Sequence, residues 1–299
     1  MKSSIEDIVQ AADNWSVEVT PSGAGKVKDF SKVLTQGTTV NVTFLPNSDL
    51  KDTVSIACRL AKDGMNPVPH IAARSLQSKD QLDDFIARLV NEAGVKEVLV
   101  IGGSVDKAVG PFPSSMDVLE SGLLQKYQIR KIGVAGHPEG SPDISEQDLR
   151  QAIADKNRFA AEESVEMYIE TQFFFDPVAV INWEKKIRNE GNLLPIRVGI
   201  AGPATIKSLL RFAQISGIGN SMRFITKQAR NVAKIMSVQT PAALIDGLAH
   251  GIAADENCLI SHFHYYPFGG FSRTVNFAAA VANGHITPEA EEDGFNVVE

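Results

Sequence analysis

Short β-branched runs alternate along this chain with longer segments whose apolar residues recur at helical spacing, the pattern that repeated βα units of a parallel sheet produce. Eight runs read as strands: residues 16–20, 39–44, 68–72, 97–101, 131–135, 167–173, 196–200 and 259–265. Helical segments follow nearly all of them, among them 50–62, 78–92, 146–161, 178–189 and 204–215. Several open on Ser, Asp or Pro, as helix starts commonly do. The stretch 212–250 breaks the rhythm with mostly helical sequence and no clear strand, which predicts an insertion of two or three helices between strands seven and eight. A doubly wound open sheet also alternates strand and helix. The count of eight favours a closed (β/α)8 TIM barrel instead, built as one domain over residues 1–299.

A barrel of this class keeps its chemistry at the C-terminal ends of the strands and in the loops just after them. Polar residues gather there: Glu18 in the first strand, Thr43 in the second, His70 in the third, Ser104 after the fourth, His137 and Glu139 after the fifth, Gln172 in the sixth, His264 and Tyr265 in the eighth. A carboxylate or amide facing a barrel interior costs free energy unless it is hydrogen-bonded or used. For any one of these residues a satisfied structural role and a functional one are equally good readings, but their recurrence from strand to strand points to function. Gly102 and Gly103 close the fourth strand, either as a tight turn or as a place where a ligand approaches the backbone. The string H-P-E-G-S-P (137–142) is a rigid turn presenting an imidazole and a carboxylate, and T-Q-F-F-F-D (171–176) sets an amide beside three aromatic rings. There is no G-x-G-x-x-G opening a helix and no Walker loop, so a Rossmann or P-loop reading lacks its fingerprint.

Composition narrows the picture. With 299 residues, 43% of them hydrophobic and 22% charged, the chain has an ordinary globular make-up and enough length for a large core. A net charge of −7 and a pI near 5.5 repel a phosphate backbone, which argues against a nucleic-acid partner. Cys58 and Cys258 stand 200 positions apart with neither CxxC nor metal-ligand spacing, so no disulfide and no metal site is expected, and a reducing cytoplasm is. The first residues carry no apolar signal-peptide run, and no stretch of 18 apolar residues occurs, so no membrane association is expected.

Taken in chain order, these strings resemble the methylenetetrahydrofolate reductase family. T-Q-F-F-F-D is similar to the family's sixth-strand motif, V-E-V-T-P (17–21) to its first strand, V-N-V-T-F-L-P-N-S (40–48) to its second, P-H-I (69–71) to its third, H-P-E-G-S-P to its fifth and F-H-Y-Y (263–266) to its last, covering roughly residues 15–283. The resemblance implies a barrel that binds FAD at the C-terminal ends of its strands and interconverts 5,10-methylene- and 5-methyltetrahydrofolate in one-carbon metabolism, with NADH or NADPH as redox partner. Carried over residue by residue, Glu18 is the general acid that assists opening of the folate's five-membered ring, Gln172 holds the folate, and Phe174, Ile206 and His264 lie beside the substrate. Thr43, His70, Gly102, Gly103, Ser104, His137 and Glu139 fall to the flavin, and Asp148 and Lys156 to its ribose and phosphates, although Lys156 precedes Gln172 by 16 residues, a wider spacing than in well-known bacterial members.

Two positions depart from the family pattern. Gly103 and Ser104 stand where much of the family has Arg or Gly followed by Asp, which removes a carboxylate that bears on flavin potential and pterin anchoring. Asp106 lies two residues further on. Ile206 is near a position that is Phe in well-studied bacterial members and stacks on substrates, so a nicotinamide would bind without that ring. These departures keep open a second reading, a flavin-free folate-binding barrel that serves as an accessory or methyl-transfer partner. A corrinoid or folate methyltransferase barrel shares the fold class but leaves T-Q-F-F-F-D unexplained. Larger members carry an S-adenosylmethionine-binding domain; here the barrel takes nearly all residues and leaves 287–299 as an acidic tail, so such allostery is not expected, while the helical insertion offers surface for a homo-oligomer.

Overall fold

The structure, a computed structural model, describes residues 3–45, 48–141, 144–215, 237–289 and 294–298. Eight strands build the sheet: β1 (Ser16–Val19), β2 (Thr39–Val42), β3 (Asn66–Ala72), β4 (Glu97–Ile101), β5 (Lys131–Gly136), β6 (Glu166–Phe174), β7 (Ile196–Ala201) and β8 (Ile260–Tyr266). Their order closes on itself, each strand beside its neighbours in sequence and β8 beside β1, which is the expected (β/α)8 barrel. The longer helices are α1 (Ile5–Ala12), α2 (Leu50–Lys62), α3 (Lys79–Ala93), α4 (Glu146–Glu163), α5 (Pro177–Asn189), α6 (Ile206–Ile215), α7 (Ala242–Ala253) and α8 (Phe271–Ala282). The connection from β4 to β5 holds two short helices, Ser115–Leu119 and Leu123–Lys126, in place of one long one.

The expected insertion between β7 and β8 begins at α6 and ends at α7; its middle, residues 216–236, lies outside the described residues. Its ends are joined by a two-residue antiparallel pairing, Ala204–Thr205 with Val238–Gln239. Strands this short have no periodicity to read, so the sequence assigned 204–205 to a helix.

Local chemistry explains where the helices start and stop. Asp49 caps α2 by accepting from the Lys51 amide at 2.9 Å, and Ser78 caps α3 by accepting from the Gln81 amide at 3.1 Å. Helix α3 ends on Gly94 in the left-handed region, φ 63°, which closes the last turn without a Cβ penalty. The final residue of T-Q-F-F-F-D has a similar duty: Asp176 accepts from the Val178 amide at 3.0 Å and caps α5, with Pro177 at its first position.

Contacts divide the chain into two compact units, one of residues 16–135 and 155–169, the other of residues 1–15, 136–154 and 170–299. In the first, α2 buries Val54, Ala57 and Leu60 and packs on α3, which buries Leu82, Phe85, Ile86 and Leu89. The apolar spacing of both helices is the one that gives a single core-facing stripe. Gly133 on β5 is a packing glycine. A Cβ there would lie 2.6 Å from the Tyr168 hydroxyl and 2.7 Å from Leu99 Cδ1, so the Tyr168 ring fills the space that a side chain would take.

In the second unit α1 packs on α7 and α8. Buried Asp246 on α7 accepts from the Ser3 amide at 2.9 Å and the Gly294 amide at 3.2 Å, tying two distant stretches of chain to one carboxylate. Fully buried Glu184 on α5 accepts from Arg188 Nε at 2.7 Å and from the Leu259 amide at 3.2 Å, and Arg188 also reaches Asp255 at 2.5 Å. These paired carboxylates hold the Arg188 guanidinium well above the usual arginine range and lock α5 to the turn before β8. No described helix is long and apolar enough to cross a membrane.

Candidate active site at the strand ends

In the first unit, the ends of three strands meet at a carboxylate. Glu18 on β1 is buried, with 6% of its surface exposed. Thr43 follows β2, where its amide donates to Val19 O at 3.0 Å, and this sets its hydroxyl to donate to Glu18 Oε1. His70 on β3 brings Nε2 to 3.7 Å from the same oxygen. The last distance exceeds a direct hydrogen bond. His70 thus faces Glu18 without a direct hydrogen bond to that oxygen, while the Thr43 hydroxyl fixes the rotamer. Glu18 is thus largely withdrawn from solvent; the resemblance gave Thr43 and His70 to the flavin, and the structure places both against Glu18.

The Gly102–Gly103 turn is gripped from β3. Arg74, just after that strand, donates to Gly102 O from its amide at 3.0 Å and from Nε at 3.3 Å, and to Gly103 O from Nη2. Gly103 has φ 89°, and a Cβ on Gly102 would sit 3.4 Å from Arg74 Nη2. The Arg74 guanidinium thus lies in van der Waals reach of Gly102, and the turn reading of Gly-Gly accounts for Gly103. Ser104, next in the chain, is exposed, as is Asp106.

Lys156 on α4 is the other notable cation of this unit. It is 6% exposed, its Nζ donates to Ala135 O at 3.3 Å, and no carboxylate pairs with it among the described residues. Burial lowers its pKa from 10.5 to about 8. A cleft of about 560 Å3 also opens in this unit, between Phe44, Lys51, Gln81, Arg88 and Val109; Glu18, Thr43 and His70 do not line it, so it is separate from the carboxylate cluster.

In the second unit Gln172 is exposed near the end of β6, between buried Thr171 and Phe173. The strand beneath it is held firmly: Thr171 Oγ1 accepts from the Gly199 amide at 2.9 Å, and the Tyr266 hydroxyl donates to Thr171 O at 3.0 Å. Phe174 and Ile206 are each 1% exposed, and Ile206 packs in a cluster with Phe173, Leu209 and Phe268. In that cluster Phe212 stacks on Phe268 at 4.0 Å between centroids and Tyr266 stacks on Phe268 at 5.7 Å. His264 is completely buried, with Nδ1 3.8 Å from Glu170 Oε2 and its ring edge-on to Tyr266. Phe174, Ile206 and His264 are thus buried, whereas Gln172 is exposed.

His137 and Glu139 are half-buried in the turn after β5, which Gly140 closes with its amide on His137 O at 3.0 Å. Asp148 is exposed in the first turn of α4, where it forms a capping pair: the Ser145 hydroxyl donates to its carboxylate at 2.6 Å and its amide donates to Ser145 Oγ at 3.1 Å. Arg74 and Glu170 escaped the sequence reading. Glu170 shares the period-two face of Gln172 and was legible by that spacing, whereas nothing marks Arg74 before the β3 and β4 ends are seen together. Among the described residues no group of His, Cys, Asp or Glu could hold a metal ion, and Cys58 and Cys258 are free thiols.

Comparison with known proteins follows the same lines. A solved structure of an uncharacterised protein from Clostridium thermocellum, described as binding two copies of 5-methyl-5,6,7,8-tetrahydrofolic acid, has a similar fold with a TM-score of 0.56, 11% identity, and coverage of 93% of this chain and 98% of that one. An oxaloacetate acetylhydrolase matches with a TM-score of 0.48, 9% identity, and coverage of 94% and 85%. The family model described as methylenetetrahydrofolate reductase matches residues 9–227, a span that holds Glu18, Thr43, His70 and Gln172. By that match over most of its length, on a closed eight-stranded barrel, this chain belongs to the methylenetetrahydrofolate reductase family.

Proposed function

We propose that this protein interconverts 5,10-methylene- and 5-methyltetrahydrofolate by hydride transfer through FAD, with NADH or NADPH as the other redox partner. The observation that carries the proposal is the buried Glu18 carboxyl held by Thr43 and faced by His70, at the place where the family keeps its general acid. Membership of the family supports the folate.

Whether the site suits a flavin is tested by its charges. Lys156 is a buried ammonium that donates to the Ala135 carbonyl and has no carboxylate partner among the described residues, an arrangement that an anionic ligand group would stabilise. A cofactor phosphate would supply that charge, so the residues fit. A flavin-free barrel leaves this ammonium unbalanced. Thr43, His70 and Gly102 at the strand ends and Lys156 behind β5 would hold the cofactor. FAD, when bound, relays two electrons between nicotinamide and folate.

The rest of the chemistry belongs to the chain. The Glu18 carboxyl gives its proton to the folate nitrogen released as the five-membered ring opens, and recovers a proton in the reverse direction. Thr43 keeps Oε1 oriented while this happens, and the His70 imidazole stands beside the same oxygen. The exposed Gln172 amide offers one acceptor and two donors to the polar edge of the pterin, and its buried neighbours keep it in register.

The experiment uses purified protein supplied with FAD. A yellow holoprotein that oxidises NADH or NADPH with an artificial acceptor and turns over folate is expected. Glu18→Gln should keep the first activity and lose the second by about 10²- to 10⁴-fold. A protein that rejects FAD overturns the redox reading, and folate turnover within a fewfold of wild type in Glu18→Gln removes the acid role.

A further inference from the structure

Arg74 does not belong to the motifs that carry the family resemblance, yet it is placed as if by function. It stands just after β3 with its guanidinium on the carbonyls that end β4, the end of the barrel where the chemistry is expected. Its side chain donates to the carbonyl oxygens of Gly102 and Gly103, and no carboxylate pairs with it among the described residues. The guanidinium packs beside Gly102, where a Cβ would stand 3.4 Å from Nη2. Next to this turn the chain has Ser104, a neutral residue. A half-buried guanidinium with five donors, of which two side-chain bonds are recorded, keeps donors for an anion.

We propose that Arg74 is a positioning residue for negative charge, which stabilises the pyrimidine end of the flavin, N1 and the C2 oxygen, when electrons arrive. This rests on the flavin reading above. Hydride from the nicotinamide adds two electrons and one proton to the flavin at N5, the nicotinamide is oxidised, and the charge left over resides at N1 and O2. A cation held there favours that charge, and because position 104 carries no carboxylate the cation is not neutralised. The two carbonyl bonds keep the guanidinium in place before charge arrives, so little reorganisation is needed.

Sulfite reads this charge without turnover. Its sulfur lone pair forms a bond to flavin N5, the electrons of the C=N bond move to N1 and O2, and no external oxidant is required. Wild-type holoprotein, Arg74→Lys, Arg74→Gln and Ser104→Asp are each loaded with FAD, titrated with sulfite by absorbance, and poised against dyes for the midpoint potential. Arg74→Gln should weaken sulfite binding about tenfold or more and lower the potential, by about 30 mV for each tenfold in the two-electron equilibrium. Arg74→Lys should stay within about threefold of wild type, since the charge is kept. Ser104→Asp should move both readouts in the direction of Arg74→Gln with the Arg74 clamp intact, so the proposal remains testable if Arg74→Gln does not fold. FAD bound normally by the variants with sulfite affinity and potential unchanged overturns the role of Arg74 and leaves the proposed function standing. Wild type that binds no FAD overturns both.

Discussion

The Lys156 ammonium gives the most direct physical test of the site. Its pKa is lowered from 10.5 to about 8 by burial alone, without a carboxylate to offset it. At 1.36 kcal/mol for each pH unit, the unliganded fold carries a penalty of about 3 kcal/mol for keeping this group charged. The unfolded chain binds the proton more tightly than the fold does, so stability rises with pH between about 8 and 10.5, and the full penalty is present below 8. Lys156→Met keeps the apolar stem and removes the charge, and forfeits the bond to Ala135 O, worth about 1 kcal/mol. The apoprotein variant should therefore be more stable than wild type by about 2 kcal/mol at pH 6.5, and this advantage should shrink by about 2 kcal/mol at pH 9.5 as wild type sheds its proton. Urea unfolding of both proteins at the two pH values measures this. With FAD present the order should reverse, because a bound phosphate turns the penalty into an attraction and ligand binding adds to wild-type stability. A variant no more stable than wild type at pH 6.5, or a difference that does not change with pH, refutes the argument.

Other consequences are simpler to state. Thr43→Val removes the hydroxyl that donates to Glu18 and leaves a buried acceptor short of a partner, so it should cost about 1–3 kcal/mol of stability and slow folate turnover more than reduction of the flavin by nicotinamide; equal effects on both half-reactions would argue against a link to Glu18. Gln172→Ala removes an exposed amide from a rigid strand end, so the melting temperature should hold while the folate KM rises about two- to tenfold, the worth of one neutral hydrogen bond; unchanged steady-state kinetics would exclude contact with the pterin. Gly103→Ala forces a side chain onto a backbone at φ 89° and to 3.3 Å from Ala72 Cβ, which should cost about 1–2 kcal/mol in chemical denaturation; a neutral result would mean that the turn adjusts freely.

Much of this molecule was legible in the order of its residues. Short β-branched apolar runs separated by amphipathic helices identify all eight barrel strands to within a few residues, because parallel strands are buried on both faces and each helix keeps a single buried stripe. The polar residues Glu18, His70 and Gln172 stood out for the same reason: each interrupts an apolar pattern where burial of a polar group needs an explanation. What each residue does was decided only in three dimensions. Thr43 and His70 are 27 positions apart, yet both meet Glu18, because parallel register brings the ends of β1, β2 and β3 level. Asp148, which the resemblance gives to the cofactor, pairs with Ser145 at the start of α4 in the fold, and His264, which the resemblance sets beside the substrate, is fully buried near Glu170. Arg74 had no signal at all, since a lone arginine after a strand matches no pattern, and its meaning comes from the two glycine carbonyls of another strand. A sequence records which groups are costly to bury; which partners offset that cost is settled when the barrel closes.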